Sequence, residues 1–295
     1  MRIGIDWGGT KLEIIALDDK GETLLRERVA TPQEGYQACI NAVCNLVSMV
    51  EEHTGKTGTV GIGIPGTISS ATGLVKNANS VWMNGKPLRE DMQAALQRKV
   101  RIHNDANCFT VSEAVDGAAR GQQVVVGVIL GTGCGSGVTT NGKALVGIHG
   151  IAGEFGHTPL TPMTVSEHPG SLCWCGRRGC LETWISGTGF QRDYEARTGI
   201  PTTMNAAEIL EFNDEESREC YSDYCDRLAR GLSVLVNIID PDVIVLGGGM
   251  SNVNAIYEDV PPLMKPYVFS DVFDTPVLRA KHGDSSGVRG AAWLW

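Results

Sequence analysis

The chain has 295 residues and a formal net charge of −9, and 42% of its residues are apolar. That apolar share can bury a sizeable core, so the composition excludes a disordered chain, and the length suggests two domains of about 150 residues. The acidic balance argues against nucleic acid as a partner. Asp6 interrupts the N-terminal apolar run, and no run of about 18 apolar residues exists, so we predict a cytoplasmic protein without a membrane partner.

Short apolar runs and glycine turns fill the first part of the chain. Strands are predicted at 2–6, 12–17 and 22–30, and Gly8-Gly9 joins the first two. The apolar spacing then predicts, in order, a helix at 33–53, a strand at 60–64, a helix at 87–98, a strand at 100–103 and a helix at 105–115. This order is typical of an α/β domain.

The second part of the chain begins in the same way. An apolar strand at 124–130 runs into the glycine-rich segment 131–137, and Asn141-Gly142 predicts a hairpin turn. A long helix is predicted at 217–238, a buried strand at 243–246 and a terminal helix at 285–295. We therefore predict one domain at 1–117, joined by the helix at 285–295, and a second domain at 118–284.

The two glycine turns predict phosphate binding. Backbone N–H groups in glycine turns can cradle phosphate oxygens, Thr10 and Lys11 can add hydrogen bonds, and Asp6 can hold a metal-bound water. A plain hairpin needs only the glycines, but the second turn at an equivalent place favours phosphate. The predicted nucleotide-binding residues are Asp6, Gly8, Gly9, Thr10, Lys11, Gly131, Thr132, Gly133 and Gly135. Gly248, in a third glycine turn, is added as a contact to a base or ribose, although a simple strand-to-helix turn explains it equally well.

Three cysteines lie within eight residues of one another. Cys173, Cys175 and Cys180 together with His157, which lies 16 residues upstream of Cys173, supply the three sulfurs and one imidazole of a closed tetrahedral zinc site. A loop of free thiols and a disulfide between Cys175 and Cys180 are the alternatives. We favour structural zinc because no secretion signal supports a disulfide.

Asp105 follows the strand at 100–103 directly after Asn104. An aspartate there can cap a helix, or it can accept the proton of an attacking sugar hydroxyl. The two predicted phosphate turns favour the second role. Further candidates for sugar hydroxyls, each of which could instead satisfy its own loop, are Asn79, Asn104, Glu154, His157 and Glu182.

Taken together these segments resemble the ROK family of sugar kinases and repressors, within the actin-like ATPase superfamily. The matching segments are 4–11, 61–66, 104–107, 131–137, 152–157, 173–182 and 240–249. The resemblance implies an α/β, ribonuclease H-like fold of two lobes, each a mixed sheet with flanking helices, with the site in the cleft. It also implies transfer of the γ-phosphoryl group of MgATP to the 6-hydroxyl of a hexose.

By the same resemblance each candidate residue has a role. Asp105 matches the catalytic base, and the two glycine turns with Asp6 match the phosphate-binding positions. His157, Cys173, Cys175 and Cys180 match zinc ligands, and Asn104, Glu154, His157 and Glu182 match sugar-binding positions. A homodimer is common in the family.

The acceptor sugar is predicted from two segments. Residues 76–85 and 281–290 are most similar to fructokinases of the family, so we expect fructose, with mannose and glucose as further acceptors. An N-acetylhexosamine kinase remains the alternative. A non-catalytic sugar sensor or repressor is less favoured, because the predicted phosphate strand starts at residue 2 and leaves no room for a winged-helix module before it.

Overall fold

The computed structural model describes residues 1–78, 80–283 and 286–295. The chain divides into two compact units, which are described separately. The first unit comprises Met1–Gly121, Gly137–Ala152 and Asp284–Trp295, and the second comprises Gln122–Ser136 and Gly153–Gly283.

The first unit is built on a five-stranded mixed sheet. Up to residue 121 its strands are β1 (Arg2–Trp7), β2 (Lys11–Leu17), β3 (Thr23–Ala30), β4 (Thr59–Ile64), β5 (Thr67–Ile68), β6 (Val75–Lys76) and β7 (Val100–Asn104). The sheet order is β3-β2-β1-β4-β7, with β1 antiparallel to β2 and parallel to β4. β5 and β6 form a separate small hairpin. The predicted strands of this part are therefore confirmed.

Three helices accompany these strands, namely α1 (Tyr36–Thr54), α2 (Leu88–Leu96) and α3 (Asp105–Val115). α1 buries a face that includes Ile40, Val43 and Val47, as its apolar spacing predicts. The predicted second helix was too long at its C-terminal end. It stops at Leu96 because Gln97 adopts a left-handed backbone with φ of 50°.

The second unit contains a parallel core of three strands. β8 (Val124–Leu130) lies beside β9 (Cys134–Thr140), which begins in this unit and continues in the first, where it pairs with β10 (Lys143–Ala144). β11 (Val243–Gly247) lies between β8 and β12 (Val277–Arg279), parallel to both.

The helices of the second unit are α4 (Glu182–Ile185), α5 (Gly187–Thr198), α6 (Ala206–Glu211), α7 (Glu215–Ile239) and α8 (Ile256–Met264). α7 is the predicted long helix, while α4, α5, α6 and α8 were not predicted. In the described part of the chain, no helix has both the length and the apolar character needed to cross a membrane.

The C-terminal helix α9 (Ser286–Ala292) belongs to the first unit and packs on its sheet. Glycines allow this close approach, because a Cβ atom at Gly61 would lie 1.9 Å from the Ala291 carbonyl oxygen. The predicted terminal helix is confirmed, although it ends at Ala292 rather than at Trp295.

Candidate active site

The first glycine turn connects β1 to β2 in the first unit. The Gly8 N–H donates to the Lys11 carbonyl oxygen at 3.0 Å, which closes the turn. The Thr31 hydroxyl donates to the Gly8 carbonyl oxygen at 2.8 Å and fixes the turn from the outside. Gly9 and Thr10 are exposed, so the turn presents its backbone to solvent, as a phosphate-binding turn requires.

Asp6 lies at the end of β1, directly before this turn. Burial and the nearby Glu13 raise the pKa of Asp6 to about 6, although Lys11 and Arg28 act in the opposite direction. A carboxyl group whose pKa is raised by its surroundings is a feature of functional sites.

Asn104 and Asp105 stand at the junction of β7 and α3. The Asn104 side chain caps α3 by accepting a hydrogen bond from the Ala106 N–H at 2.9 Å, and Asp105 Oδ1 also lies 2.8 Å from that nitrogen. The capping role considered for Asp105 is therefore filled by Asn104. After burial, the negative charges of Asp6 and of Asp105 raise the pKa of the buried Cys108 thiol, so each carboxylate lies in the surroundings of this cysteine.

One predicted sugar-binding residue, Asn79, lies outside the described residues. Its neighbour Ser80 is described and packs against the first turn, where a Cβ atom at Gly9 would lie 2.8 Å from Ser80 Oγ.

The second glycine turn connects β8 to β9 in the second unit. The Gly131 N–H donates to the Gly133 carbonyl oxygen at 3.0 Å, and the Cys134 N–H donates to Glu182 Oε2 at 2.9 Å. Gly248 packs against this turn with a φ of 81°, and a Cβ atom there would lie 2.7 Å from the Gly131 nitrogen. Only glycine fits at position 248, because any side chain would meet the backbone of the second turn. The third glycine turn therefore lies directly beside the second.

A cavity of about 650 Å³ opens beside these two turns within the second unit. Its volume suits a ligand of nucleotide size. Small and polar residues from distant parts of the sequence line it, among them Gly131, Thr132, Thr188, Gln191, Asn205 and Asn252.

Two further predicted sugar-binding residues, Glu154 and His157, lie on one short segment of the second unit. The Ser136 hydroxyl donates to the Gly153 carbonyl oxygen, and a Cβ atom at Gly156 would lie 1.9 Å from the Cys134 carbonyl oxygen. This segment therefore packs directly on the start of β9. Glu154 is exposed and His157 is half-buried.

The predicted metal ligands lie together. The ligand atoms of His157, Cys173, Cys175 and Cys180 all lie within 4.8 Å of one another. Cys175 Sγ is 3.6 Å from Cys180 Sγ, and Cys173 Sγ is 3.6 Å from His157 Nδ1. Two sulfurs bound to one zinc at about 2.3 Å stand about 3.8 Å apart in a tetrahedron, so this donor set fits zinc.

Some cavity residues were missed by the sequence analysis. Thr188, Gln191, Asn205 and Asn252 come from α5, the start of α6 and the turn after β11, and no local pattern joins them. One signal was available for α6. Asn205 and Glu208 form a capping box, in which each side chain accepts a hydrogen bond from the other residue's backbone, and their spacing is visible in the sequence.

Comparison with known proteins places this fold and site in a family. The ROK family profile matches residues 2–295. N-acetyl-D-glucosamine kinases from Citrobacter koseri and Haemophilus influenzae are 40% and 38% identical, each over 100% of this chain and 99% of the relative. A ROK hexokinase structure from Thermus thermophilus aligns with a TM-score of 0.88 and 30% identity, covering 99% of this chain and 97% of that chain.

A second solved structure holds ligands. It is a ROK family glucokinase from Streptomyces griseus in complex with glucose and AMPPNP, with a TM-score of 0.80, 27% identity and coverage of 99% and 98% of the two chains. The chain therefore belongs to the ROK family. The predicted α/β class with the actin-like ATPase fold and the predicted ROK sugar kinase class are confirmed, while the fructose specificity is not supported by these relatives.

Proposed function

We propose that this protein is an ATP-dependent kinase that transfers the γ-phosphoryl group of MgATP to the 6-hydroxyl of N-acetyl-D-glucosamine. The observation that carries the choice of sugar is the full-length similarity, at 40% identity, to N-acetyl-D-glucosamine kinases. The phosphate turns, the 650 Å³ cavity and the carboxylate at the start of α3 support the kinase chemistry.

The proposed roles divide between the two units. In the second unit the cavity holds the nucleoside part of ATP, Gly131–Gly133 with Gly135 bind the phosphates, and Gly248 contacts the base or ribose. In the first unit Gly8–Lys11 bind the transferred phosphoryl group, and Asp6 orients a water on the magnesium ion of the substrate. Asp105 accepts the proton of the sugar hydroxyl as the oxygen attacks. Asn104, Glu154 and His157 orient the sugar.

Zinc is proposed as a structural ion rather than a catalytic one. Four protein ligands leave no open position for a substrate, so the bound ion would order the loop that carries His157. One ring nitrogen of His157 faces Cys173, which leaves the other to meet a sugar hydroxyl.

Fructose is the second candidate acceptor, because the segments 76–85 and 281–290 are similar to those of fructokinases. The two candidates differ chemically at C2. N-acetyl-D-glucosamine carries an acetamide there and needs a pocket for it.

The experiment is ADP release measured with MgATP and, separately, N-acetyl-D-glucosamine, N-acetyl-D-mannosamine, fructose, mannose and glucose. The highest kcat/KM with N-acetyl-D-glucosamine is expected. A preference for fructose by tenfold or more would replace the acceptor and leave the kinase chemistry in place. No turnover with any of the five, by a folded, zinc-containing preparation, would contradict the proposed function.

A further inference from the structure

Glu182 is half-buried and contacts the second glycine turn. Its Oε2 accepts a hydrogen bond from the Cys134 N–H at 2.9 Å. The same oxygen would lie 2.5 Å from a Cβ atom at Gly133, so the carboxylate occupies the space beside the turn. A side chain at residue 133 would therefore displace the Glu182 carboxylate from this position.

Two further hydrogen bonds join the same stretch of chain to the turn. The Gly187 N–H donates to the Gly131 carbonyl oxygen at 2.7 Å, and the Thr188 hydroxyl donates to the Thr132 carbonyl oxygen at 2.7 Å. The segment from Glu182 to Thr188 therefore binds three backbone groups of the turn. They are the carbonyl groups of Gly131 and Thr132 and the N–H group of Cys134.

The other end of this segment is anchored at the cysteine cluster. Cys180, a predicted metal ligand, stands two residues before Glu182, and α4 begins at Glu182 itself. Glu182 Oε1 lies 3.7 Å from Cys173 Sγ, so the carboxylate fills the gap between the cluster and the turn. Both contacts lie inside the second unit.

We infer that Glu182 is a positioning residue for the nucleotide-binding turn at 131–134, and that Thr188 shares this role. The segment 180–188 thereby links the metal cluster to nucleotide affinity. This inference rests on the proposed function for its nucleotide, and it adds a second role to that of sugar ligand, which the sequence predicts for Glu182.

The first test is equilibrium binding of MgADP without sugar and of N-acetyl-D-glucosamine without nucleotide, by titration calorimetry. Glu182→Ala is expected to raise the Kd for MgADP about tenfold, because the loss of one charge-assisted hydrogen bond frees the turn. Glu182→Gln keeps an acceptor oxygen and should recover most of the affinity. The matched control is Glu216→Gln, an exposed carboxylate on α7 of the same unit, which should leave the Kd for both ligands unchanged.

Thr188 separates positioning from damage to the metal cluster. Thr188→Val removes the hydroxyl that donates to Thr132 and lies 3.1 Å from the Ser186 hydroxyl. It should raise the Kd for MgADP, while Thr188→Ser keeps the Kd near the wild-type value. If Glu182→Ala weakens both ligands, the Thr188 pair decides. An unchanged Kd for MgADP in Thr188→Val would then overturn the inference.

A ligand-independent readout distinguishes this inference from the proposed function. Amide hydrogen exchange of a peptide covering 131–136 should be faster in Glu182→Ala than in wild type, with the Cys134 amide most affected. Failure of the wild type to bind MgADP would sink the proposed function but leave this comparison intact. Unchanged exchange at 131–136, or a loss of sugar affinity alone, would overturn the positioning role.

Discussion

Asp6 on β1 lies directly opposite Glu13 on β2 in the antiparallel register of the first sheet. Glu13 is buried and forms salt bridges with Arg26 and Arg28, the latter at 2.7 Å. The carboxylates of Asp6 and Glu13 therefore lie side by side at the end of β1. Burial and this neighbour raise the pKa of Asp6 from its ordinary value of 3.8 to about 6, despite Lys11 and Arg28.

We predict that Asp6→Asn stabilises the ligand-free protein near pH 7. The folded state binds the Asp6 proton more tightly than the unfolded chain, so its stability falls as pH rises from about 4 to about 6. A pKa difference of about 2 between the two states corresponds to about 2–3 kcal/mol in the free energy of unfolding. Wild type loses this stability by pH 7, whereas the variant does not.

Urea unfolding at pH 4 and pH 7.5 measures this difference. The variant should gain stability over wild type at pH 7.5 and little at pH 4, whereas Glu52→Gln, an exposed carboxylate on α1, should show no such pattern. An equal difference at both pH values would contradict the electrostatic origin.

The part of the fold with a local signal was predictable from sequence. The turn between β1 and β2 and the long amphipathic helix α7 rest on patterns of neighbouring residues. α8 was missed because Pro261 and Pro262 indicate the end of a helix, yet both lie inside it. α5 begins with Gly187 and Gly189, which also weaken the helical pattern.

The candidate site divides in the same way. The two glycine turns, Asp105 and the cysteine cluster were visible as motifs, because the chemistry needs those residues close together in the chain. The cavity was not, since Thr132, Thr188 and Asn252 meet only after the chain folds. The acceptor sugar depends on a few side-chain positions, and the similarity of two short segments predicted fructose, whereas the full-length relatives are N-acetyl-D-glucosamine kinases.

Gly61→Ala should severely destabilise the first unit. The added methyl would lie 1.9 Å from the Ala291 carbonyl oxygen, and backbone on both sides cannot move apart without separating α9 from β4. We expect a loss of about 3–5 kcal/mol or failure to fold. Gly63→Ala is the matched control on the same strand, because the nearest atom to its methyl would be the Cys108 sulfur at 3.3 Å. Equal melting temperatures for the two variants would contradict the close packing of α9.

Glu167→Gln should destabilise the second unit. Glu167 is buried and pairs with Arg227 at 3.0 Å and with Arg230 at 2.7 Å. Removing its charge takes away the buried carboxylate that these two guanidinium groups share, although Arg227 keeps Asp193 and Arg230 keeps Asp226. We therefore expect a loss of about 1–3 kcal/mol. Asp223→Asn, at a half-exposed position in the same cluster, should cost less than about 1 kcal/mol.

Glu167 should also make the stability of the protein depend on pH in the acid range. Although burial raises the pKa of Glu167, hydrogen bonds from Arg230, Thr164 and Arg227 lower it to about 2. Its contribution to stability is complete above the ordinary value of 4.5 and is lost as pH falls towards 2. The difference in free energy of unfolding between wild type and Glu167→Gln should therefore be smaller at pH 3 than at pH 6. An equal difference in free energy of unfolding at pH 6 and at pH 3 would exclude this explanation.

Cys175→Ser should remove zinc. Three remaining ligands do not complete the tetrahedral set, so we expect metal analysis to fall from about one zinc per chain to a small fraction. The segment 157–182 should become more sensitive to proteolysis. Cys44→Ser, a half-buried cysteine on α1 in the other unit, should keep its zinc. Stoichiometric zinc in purified Cys175→Ser would show that Cys175 is not a ligand.

Asp105→Asn should reduce kcat by a factor of about 10²–10⁴ while leaving the fold and sugar affinity nearly unchanged. The fold is expected to survive because Asn104 still caps α3 through the Ala106 N–H, and the amide oxygen introduced at position 105 can accept in place of the carboxylate. Asn104→Ala, in contrast, should lower stability by about 1 kcal/mol through loss of that cap. Steady-state kinetics with thermal unfolding of both variants separates catalysis from capping. A kcat near the wild-type value in Asp105→Asn would remove it as the base, and the half-buried Asp6 would then be the next carboxylate to test.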